Sequence, residues 1–165
     1  MDLDEIIFTI DSLDDRKSPY DAIERVVPKD MGVYVWYEIG SVAPIYIGKA
    51  TGKNGLRNRI LGQHLNAKYL ETRQERWTAE DERQASHGVL HNGRLAIEKS
   101  AFRKNLARKT GNSPGEQNVQ FIHENCLLRT LAFPKHDAKE IASIESRLIK
   151  HYRPELNRSG LGKRS

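Results

Sequence analysis

Two tyrosines lie at related places in two short β-rich runs, and their phenols could take part in proton transfer. Tyr34 lies in the run 33–39 and Tyr46 lies in the run 43–49. A free phenol, with a pKa of ~10, is a poor base at neutral pH. Cations close to a phenol favour its ionised form and lower its pKa. The chemistry open to these tyrosines therefore depends on the basic side chains beside them.

The two runs are predicted to pair as a β-hairpin. Gly40 and Ser41 lie between them and suit the turn. Because side chains on a strand alternate between its two faces, Ile45 and Ile47 should share the core face while both tyrosines project from the other face. Gly48 would leave space beside the phenols. The pattern therefore predicts a pocket on the outer face of the hairpin.

The remaining candidates lie in short segments that follow one another along the chain. The segments are Gly-Val-Tyr at 32–34, Tyr-Ile-Gly-Lys at 46–49, Leu-Arg-Asn-Arg at 56–59, a helical stretch around Glu145, and Arg-Pro-Glu-Leu-Asn at 153–157. This order resembles the GIY-YIG nuclease family. One of these segments alone would mean little, but five in the same order are a specific signal.

The resemblance implies an α/β fold in which a small, mostly antiparallel three-stranded sheet is flanked by helices. It also implies hydrolysis of DNA phosphodiester bonds with a divalent cation. In-line attack of water on a phosphodiester requires a base, compensation for charge on the phosphate, and help for the leaving oxygen. The catalytic residues that the resemblance implies are Tyr34, Tyr46, Lys49, Arg59, His64, Glu145 and Asn157.

Four of these side chains receive roles toward water and phosphate. We expect Tyr34 to activate the water and Tyr46 to position the water or the phosphate through its hydroxyl. Lys49 and Arg59 would offset developing phosphate charge, the arginine through its planar fork. A tyrosine on a strand is ordinarily a packing residue, so this prediction depends on the whole set of segments rather than on any single side chain.

Glu145 and Asn157 receive roles around the metal. Glu145 would supply one hard oxygen ligand to Mg²⁺, for which Mn²⁺ could substitute, with waters and substrate phosphate completing the coordination. A single protein carboxylate predicts weak metal binding without DNA. Asn157 would fix the geometry around the metal or the backbone. Taken singly, the glutamate would be a solvated charge and the asparagine a turn residue.

The spacing after Arg59 departs from the family pattern. Family members usually place a His or Tyr four residues after the helical arginine, where this chain has Gln63, and its histidine is His64. Residues five apart on a regular α-helix point about 140° away from each other. Either the helix contains a one-residue bulge near 61–62, or Arg57, seven residues before the histidine, takes the catalytic role.

A predicted helix at 100–109 is rich in cations. As a functional surface these cations would contact phosphates of double-stranded DNA; otherwise they form a solvated helix face. The residues expected to bind DNA are Arg57, Arg103, Lys104, Arg108 and Lys109.

Other local signals outline the remaining elements. Residues 126–133 form the best further strand, and a capping box from Asp137 to Glu140 should open a helix that runs to about residue 151. Ser18 and the proline after it predict a helix to about residue 27. Two short helices are expected around Trp77 and around residues 89–90. We divide the chain into an N-terminal helical segment that packs on the core, 1–30, and a nuclease domain, 31–165, with an insertion at about 66–118.

The composition bounds the class of protein. The chain has 165 residues, a length that suits one domain, and no apolar run reaches the roughly 20 residues that span a bilayer. Its acidic start does not resemble a signal peptide, and its one cysteine, Cys126, cannot form an internal disulfide, so we expect a cytoplasmic protein. Residues 1–30 carry a net charge of −5, whereas the remainder carries +10. A basic body of this kind attracts polyanions.

The resemblance, together with the basic charge, implies a metal-dependent endodeoxyribonuclease that acts on double-stranded DNA. Because at most the insertion and the N-terminal segment are left for choosing a target, the chain resembles a compact restriction-type or standalone member of the family. For a restriction-type enzyme, the resemblance implies a homodimer that could cut both strands of a symmetric site. Two alternatives stay open: a catalytically inactive GIY-YIG nucleic-acid-binding module, and a structure-specific DNA repair nuclease.

Overall fold

The computed structural model describes residues 2–21 and 26–157. The α-helices are α1 (Leu3–Asp11), α2 (Gly55–Arg57), α3 (Ala79–Ala85), α4 (Ala101–Thr110), α5 (Glu116–Asn125) and α6 (Ala138–Tyr152). A π-helix, Asn58–His64, continues α2, and a 3₁₀ turn spans Gln74–Arg76. The strands are β1 (Gly32–Glu38), β2 (Pro44–Ala50), β3 (Leu70–Glu71), β4 (Leu90–His91), β5 (Arg94–Leu95), β6 (Ile97–Glu98) and β7 (Cys126–Ala132). Across the described ranges, each helix is too short or too polar to pass through a membrane.

A three-stranded antiparallel sheet with the order β2-β1-β7 forms the centre of the molecule. The predicted hairpin is β1 with β2, and the strand predicted at 126–133 is β7, which pairs with the other edge of β1. The predicted α/β fold with a small antiparallel sheet flanked by helices is confirmed.

A β-bulge interrupts the hairpin. The residue after Trp36, Tyr37, lies opposite Pro44, so the pairing skips Ile45. An extra residue in one strand shifts the alternation of its side chains. Ile45 therefore packs in one core cluster and Ile47 in the other, and the prediction that these two residues share a face is wrong.

Both faces of the sheet are buried. On one face, α1 and α6 pack against a cluster that includes Val33, Val35 and Ile47. On the other face, residues of the π-helix, α4 and α5 pack against a cluster that includes Tyr34 and Trp36. The predicted pocket on an outer face is therefore wrong, because helices cover that face and leave Tyr34 only 2% exposed.

Helix α1 begins with a capping box in which the Asp2 side chain accepts from the backbone of Glu5 and the glutamate side chain accepts in return. Its residues Ile6 and Ile10 are buried against the sheet. The helix predicted to end near residue 27 falls partly outside the described residues, since 22–25 are not among them; before that gap, Asp21 N donates to Ser18 O in a turn.

Helix α6 begins as predicted. Asp137 caps it, and the reciprocal hydrogen bond with Glu140 is present. Ile141 and Leu148 are fully buried against the sheet, so this helix is fixed along its apolar stripe. Glu145 is half-buried at the border of that stripe.

The segment at 66–118 differs in part from its prediction. Helix α3 follows Trp77, but residues 89–90 lead into a β-hairpin instead of a helix. Asn92 and Gly93 at its tip have φ values of 52° and 76°, the left-handed pair that a two-residue hairpin turn requires. The turn chemistry of this Asn-Gly pair outweighs the helical pattern. Strand β6 then pairs with β3 and leads directly into α4.

Candidate active site

A buried hydrogen-bonded chain joins β1, the π-helix and the start of α4. The Tyr34 hydroxyl lies 2.7 Å from His64 Nε2, and His64 Nδ1 lies 2.7 Å from Ser100 Oγ. The tyrosine and the histidine are each 2% exposed, and the serine is 5% exposed. Three segments that are distant in the sequence thus meet at a single imidazole.

The environment of His64 keeps its ring neutral. Burial lowers the pKa of His64 well below its usual value, and the charges of Arg59 and Arg103 lower it further. A neutral imidazole donates from one nitrogen and accepts at the other. The ring can therefore accept a hydrogen bond at one nitrogen while it donates one from the other.

The cations near Tyr34 do not lower its pKa below the usual value, contrary to expectation. Burial raises the pKa of Tyr34 well above that value, and the nearby Tyr46 and Glu145 raise it further. Arg59 acts in the opposite direction but is outweighed. Loss of hydration penalises the phenolate more than one arginine stabilises it. Tyr34 is consequently protonated at neutral pH.

The π-helix accommodates the unusual spacing of Arg59 and His64. Leu65 N donates to Ile60 O at 2.9 Å, an i→i+5 bond that brings residues five apart onto the same side of the helix. Arg59 Nη1 donates to Gln63 Oε1 at 2.7 Å, and its charge acts on both tyrosines and on His64. The expected bulge therefore extends over the whole of Asn58–His64.

Arg57 occupies a different environment. Its Nε donates to Val27 O at 2.8 Å, and the side chain is half-buried against the segment before β1. Of the two arginines left open by the spacing, the structure brings Arg59 to the tyrosines, whereas Arg57 ties α2 to the preceding loop.

Tyr46 and Gly48 complete the phenolic part of the site. The rings of Tyr46 and Tyr34 are nearly parallel, at 27°, with centroids 6.2 Å apart. Burial raises the pKa of Tyr46 as well. Gly48 pairs directly with Tyr34 across the hairpin, and a Cβ at this glycine would overlap the Tyr34 phenol. The space that the sequence predicted beside the phenols is therefore occupied by the Tyr34 ring itself.

The partly exposed edge of the site carries an ion pair. Lys49 Nζ lies 3.1 Å from Glu145 Oε2, and the two side chains are 41% and 18% exposed. Within residues 2–21 and 26–157 no group of three or more His, Cys, Asp and Glu side chains could enclose a metal. A single hard carboxylate at an accessible edge fits a cation that keeps most of its water, as Mg²⁺ commonly does.

Asn157 holds the edge strand of the sheet from the end of the described chain. Its Oδ1 accepts from Ile47 N and its Nδ2 donates to Ile47 O, both at 2.7 Å. The side chain is 4% exposed. Asn157 was expected to fix either the metal or the backbone, and its contacts are with the backbone. It holds β2 at Ile47, between Tyr46 and Gly48.

The cations of α4 are held by acidic partners. Arg103 is 0% exposed, so the prediction that it contacts DNA from the surface is wrong in this fold, because the insertion folds over it. Lys104 and Arg108 both reach Asp81, at 3.4 and 3.6 Å, and Arg108 also pairs with Glu80. Lys109 lies between two carboxylates, Glu38 at 3.3 Å and Glu155 at 2.8 Å.

Two residues of the site were not singled out from the sequence. Ser100 was predictable as the N-cap of α4, where its Oγ accepts from Arg103 N, but no local signal places it beside His64. Phe102 stacks on Trp36 with centroids 5.1 Å apart and lies 5.6 Å from the His64 ring. It closes the apolar side of the site.

Comparison with known proteins finds similarity only among solved structures. No protein-family model matches the chain, and no curated protein matches it. Two crystal structures of the GIY-YIG N-terminal endonuclease domain of UvrC from Thermotoga maritima match it, both tyrosine-to-phenylalanine point mutants bound to the catalytic divalent cation. They are 24% and 23% identical to this chain, with a TM-score of 0.42, and each match covers 84% of this chain and 93% of the other. The chain is similar to a GIY-YIG endonuclease domain, the family that its ordered segments resemble.

Proposed function

We propose that the protein is a metal-dependent endonuclease that hydrolyses phosphodiester bonds of double-stranded DNA. The observation that carries the proposal is the convergence of distant segments on one site. The Tyr34–His64 hydrogen bond, the Arg59 charge and the Lys49–Glu145 pair meet around the two tyrosines. Each group matches a requirement of phosphodiester hydrolysis: a base, cations for the phosphate, and a hard oxygen for a metal.

The proton path begins at Tyr34. A protonated phenol can take a proton from water only if it releases its own, and His64 Nε2 lies 2.7 Å from the hydroxyl. In the tautomer that serves this step, His64 Nδ1–H donates to Ser100 Oγ and Nε2 accepts from Tyr34. Because the low pKa of His64 keeps the ring neutral, it is available as the acceptor. We assign Tyr34 as the group that contacts water and His64 as the base behind it.

The remaining groups would act on the scissile phosphate and on the metal. Arg59 and Lys49 would offset the charge that develops on the non-bridging oxygens, and the Tyr46 hydroxyl would position the scissile group. Glu145 would hold a divalent cation, Mg²⁺ with Mn²⁺ as a substitute. When bound, such a cation supplies Lewis-acid stabilisation of charge on the phosphate. Lys49 holds one oxygen of Glu145 and so orients the carboxylate.

At a finer level, we propose a restriction-type enzyme that acts in the cytoplasm as a homodimer. The insertion at 66–118 lies in the longest interval between two of the ordered segments and is the natural place for target choice. The structure-specific repair nuclease remains the second candidate, since it would use the same site. The inactive module was favoured by the irregular Arg59 spacing, and the π-helix removes that support.

The proposal is tested by incubating supercoiled plasmid with purified protein, with Mg²⁺ and with chelator. We expect Glu145→Gln to reduce the cleavage rate about 100-fold or more, since metal stabilisation of the transition state contributes several kcal/mol. The matched control is Glu155→Gln, which makes the same change in a carboxylate that pairs with Lys109 away from the tyrosines. The control should cleave at the wild-type rate.

The pattern of products separates the finer proposals. Discrete fragments would support a restriction-type enzyme, and a dimer on the DNA by sedimentation would support the homodimer. Cleavage confined to branched or damaged DNA would select the repair nuclease instead. Equal DNA binding by all variants, with no metal-stimulated cleavage of any substrate, would refute the catalytic proposal and leave a binding module.

A further inference from the structure

Arg103 and Glu98 form a completely buried ion pair beside the proposed site. Both side chains are 0% exposed. Glu98 Oε2 accepts from Arg103 Nε, and Glu98 Oε1 accepts from Arg103 Nη2 at 3.1 Å and also from Gly115 N. The carboxylate thus fixes two nitrogens of the guanidinium and is itself fixed by the backbone at the start of α5.

The remaining donors of Arg103 point at the end of the π-helix. Nη1 donates to Gln63 O at 2.8 Å and to Asn66 O at 2.6 Å. Each of these carbonyls also accepts from a backbone N–H, Gln63 O from Asn66 N at 3.3 Å and Asn66 O from Tyr69 N at 3.0 Å, and the two lie on either side of His64. The arginine therefore adds two side-chain hydrogen bonds to the turns on either side of the imidazole, and so ties both of them to α4.

Arg103 also reaches the other side of the imidazole through its own backbone. Its N–H donates to Ser100 Oγ at 3.3 Å, the same oxygen that lies 2.7 Å from His64 Nδ1. One residue thus contacts the main chain on both sides of the histidine and the hydroxyl that faces its second nitrogen. Gln63 adds a further link, because its side chain accepts from Arg59.

We propose that Arg103, held by Glu98, is a positioning residue that aligns the His64 ring between Tyr34 and Ser100. The inference rests on the proposed function only for its effect on cleavage; the alignment of the ring is a property of the DNA-free protein. A buried ion pair contributes little net stability compared with apolar residues of the same volume. The π-helix is a rare conformation. In this proposal the Arg103–Glu98 pair keeps the last turn of the π-helix, which carries His64, in a fixed conformation.

The experiment follows the His64 ring by nitrogen NMR in protein labelled with ¹⁵N-histidine. The signals of His64 are assigned by their loss in His64→Gln. In the wild type we expect one fixed tautomer that does not titrate between about pH 5 and 8. The titratable and charged groups that act on the ring are Tyr34, Tyr46, Arg59 and Arg103.

The test variant is Arg103→Lys, which keeps the positive charge but cannot reproduce the planar fork. We expect its ring signals to average between tautomers and to titrate, and kcat for plasmid cleavage to fall ~10- to 100-fold with KM little changed. The matched control is Arg129→Lys. Arg129 is also a buried arginine that donates to backbone carbonyls, those of Ser12 and Asp14, but it lies away from the imidazole.

Glu98→Gln is the second variant, used if Arg103→Lys does not fold. It leaves the arginine and its carbonyl bonds but removes the anion, so the same change in ring signals should appear to a smaller degree. Wild-type ring signals in folded Arg103→Lys or Glu98→Gln, together with an unchanged kcat, would overturn the positioning inference. Disturbed ring signals in a protein whose wild type cleaves no DNA would support the positioning role while refuting the proposed function.

Discussion

At the scale of single residues, the centre of the site is an imidazole whose charge state is controlled by burial. His64 lies between a phenol and a hydroxyl, each at 2.7 Å, with arginine charges nearby that oppose its protonation. Tyr34 is held in its neutral form by the same burial. The two groups therefore form a hydrogen bond between a neutral phenol and a neutral imidazole in the DNA-free protein.

The low pKa of His64 predicts that the protein loses stability in mild acid. The unfolded chain binds a proton near pH 6.5, whereas folded His64 excludes it, so the free energy of unfolding falls as the pH drops below ~6.5. The contribution is at most about 1.4 kcal/mol per pH unit. Urea unfolding measured between about pH 5 and 7.5 spans the ordinary pKa of histidine. The free energy of unfolding should fall more steeply with decreasing pH in the wild type than in His64→Gln.

Two other histidines serve as references for this measurement. His87 is exposed, so His87→Gln should retain the wild-type slope. Burial also lowers the pKa of His123, which adds a slope of the same sign to every variant. The informative quantity is therefore the difference between wild type and His64→Gln, and a zero difference would contradict the neutral, buried ring.

At the scale of elements, two local features position the side chains of the candidate site. The π-helix turns Arg59 and His64 toward the same side although five residues separate them. Asn157 satisfies both main-chain groups of Ile47 on β2, which is an edge strand of the sheet. The strand that carries Tyr46, Gly48 and Lys49 is therefore paired on both sides at this point.

Asn157→Ala should destabilise the protein by about 2–3 kcal/mol, because it leaves a buried donor and a buried acceptor of Ile47 without partners. Urea unfolding followed by circular dichroism measures this loss. Asn125→Ala is the matched control: that amide donates to one carbonyl, Phe121 O, at a helix end, and its removal should cost about 1 kcal/mol. Equal losses of unfolding free energy in the two variants would contradict the prediction that the Asn157 contact with β2 stabilises the protein more than an ordinary side-chain hydrogen bond.

At the scale of the whole molecule, the cations of α4 are less available to a polyanion than the charge of the chain suggests. The basic residues of α4 are paired with carboxylates or buried. Arg59, in contrast, is half-buried beside the tyrosines and has a neutral partner, Gln63. We therefore expect the cations of the site, rather than those of α4, to govern the salt dependence of DNA binding.

Arg59→Gln should lower the slope of log Kd against log salt concentration by about one, since each phosphate contact contributes ~0.9 for B-DNA. Fluorescence anisotropy with a short duplex in chelator measures the slope without cleavage. Lys17→Gln removes a charge beside β7, at the opposite edge of the sheet from β2, and should leave the slope unchanged. A reduced slope for Lys17→Gln alone would place the DNA on the other side of the molecule.

Much of the fold followed from local pattern, and the candidate residues followed from the resemblance of five ordered segments to one nuclease family. Alternation and turn residues predicted β1, β2 and β7, and a capping box predicted the start of α6 at Asp137. These signals are local because a strand or a helix end depends on residues within a few positions of each other. The order of the five segments was enough to assemble Tyr34, Tyr46, Arg59, Glu145 and Asn157 into one set.

Contacts between distant segments were needed for the rest. Arg103 reads as a surface cation in its own helix, yet carbonyls about forty residues earlier bury it. The pKa of Tyr34 depends on whether cations or loss of water has the larger effect, and that balance is set by the helices that cover the sheet. Desolvation and long-range hydrogen bonding arise only after the chain has folded, so no pattern of neighbouring residues could have predicted them.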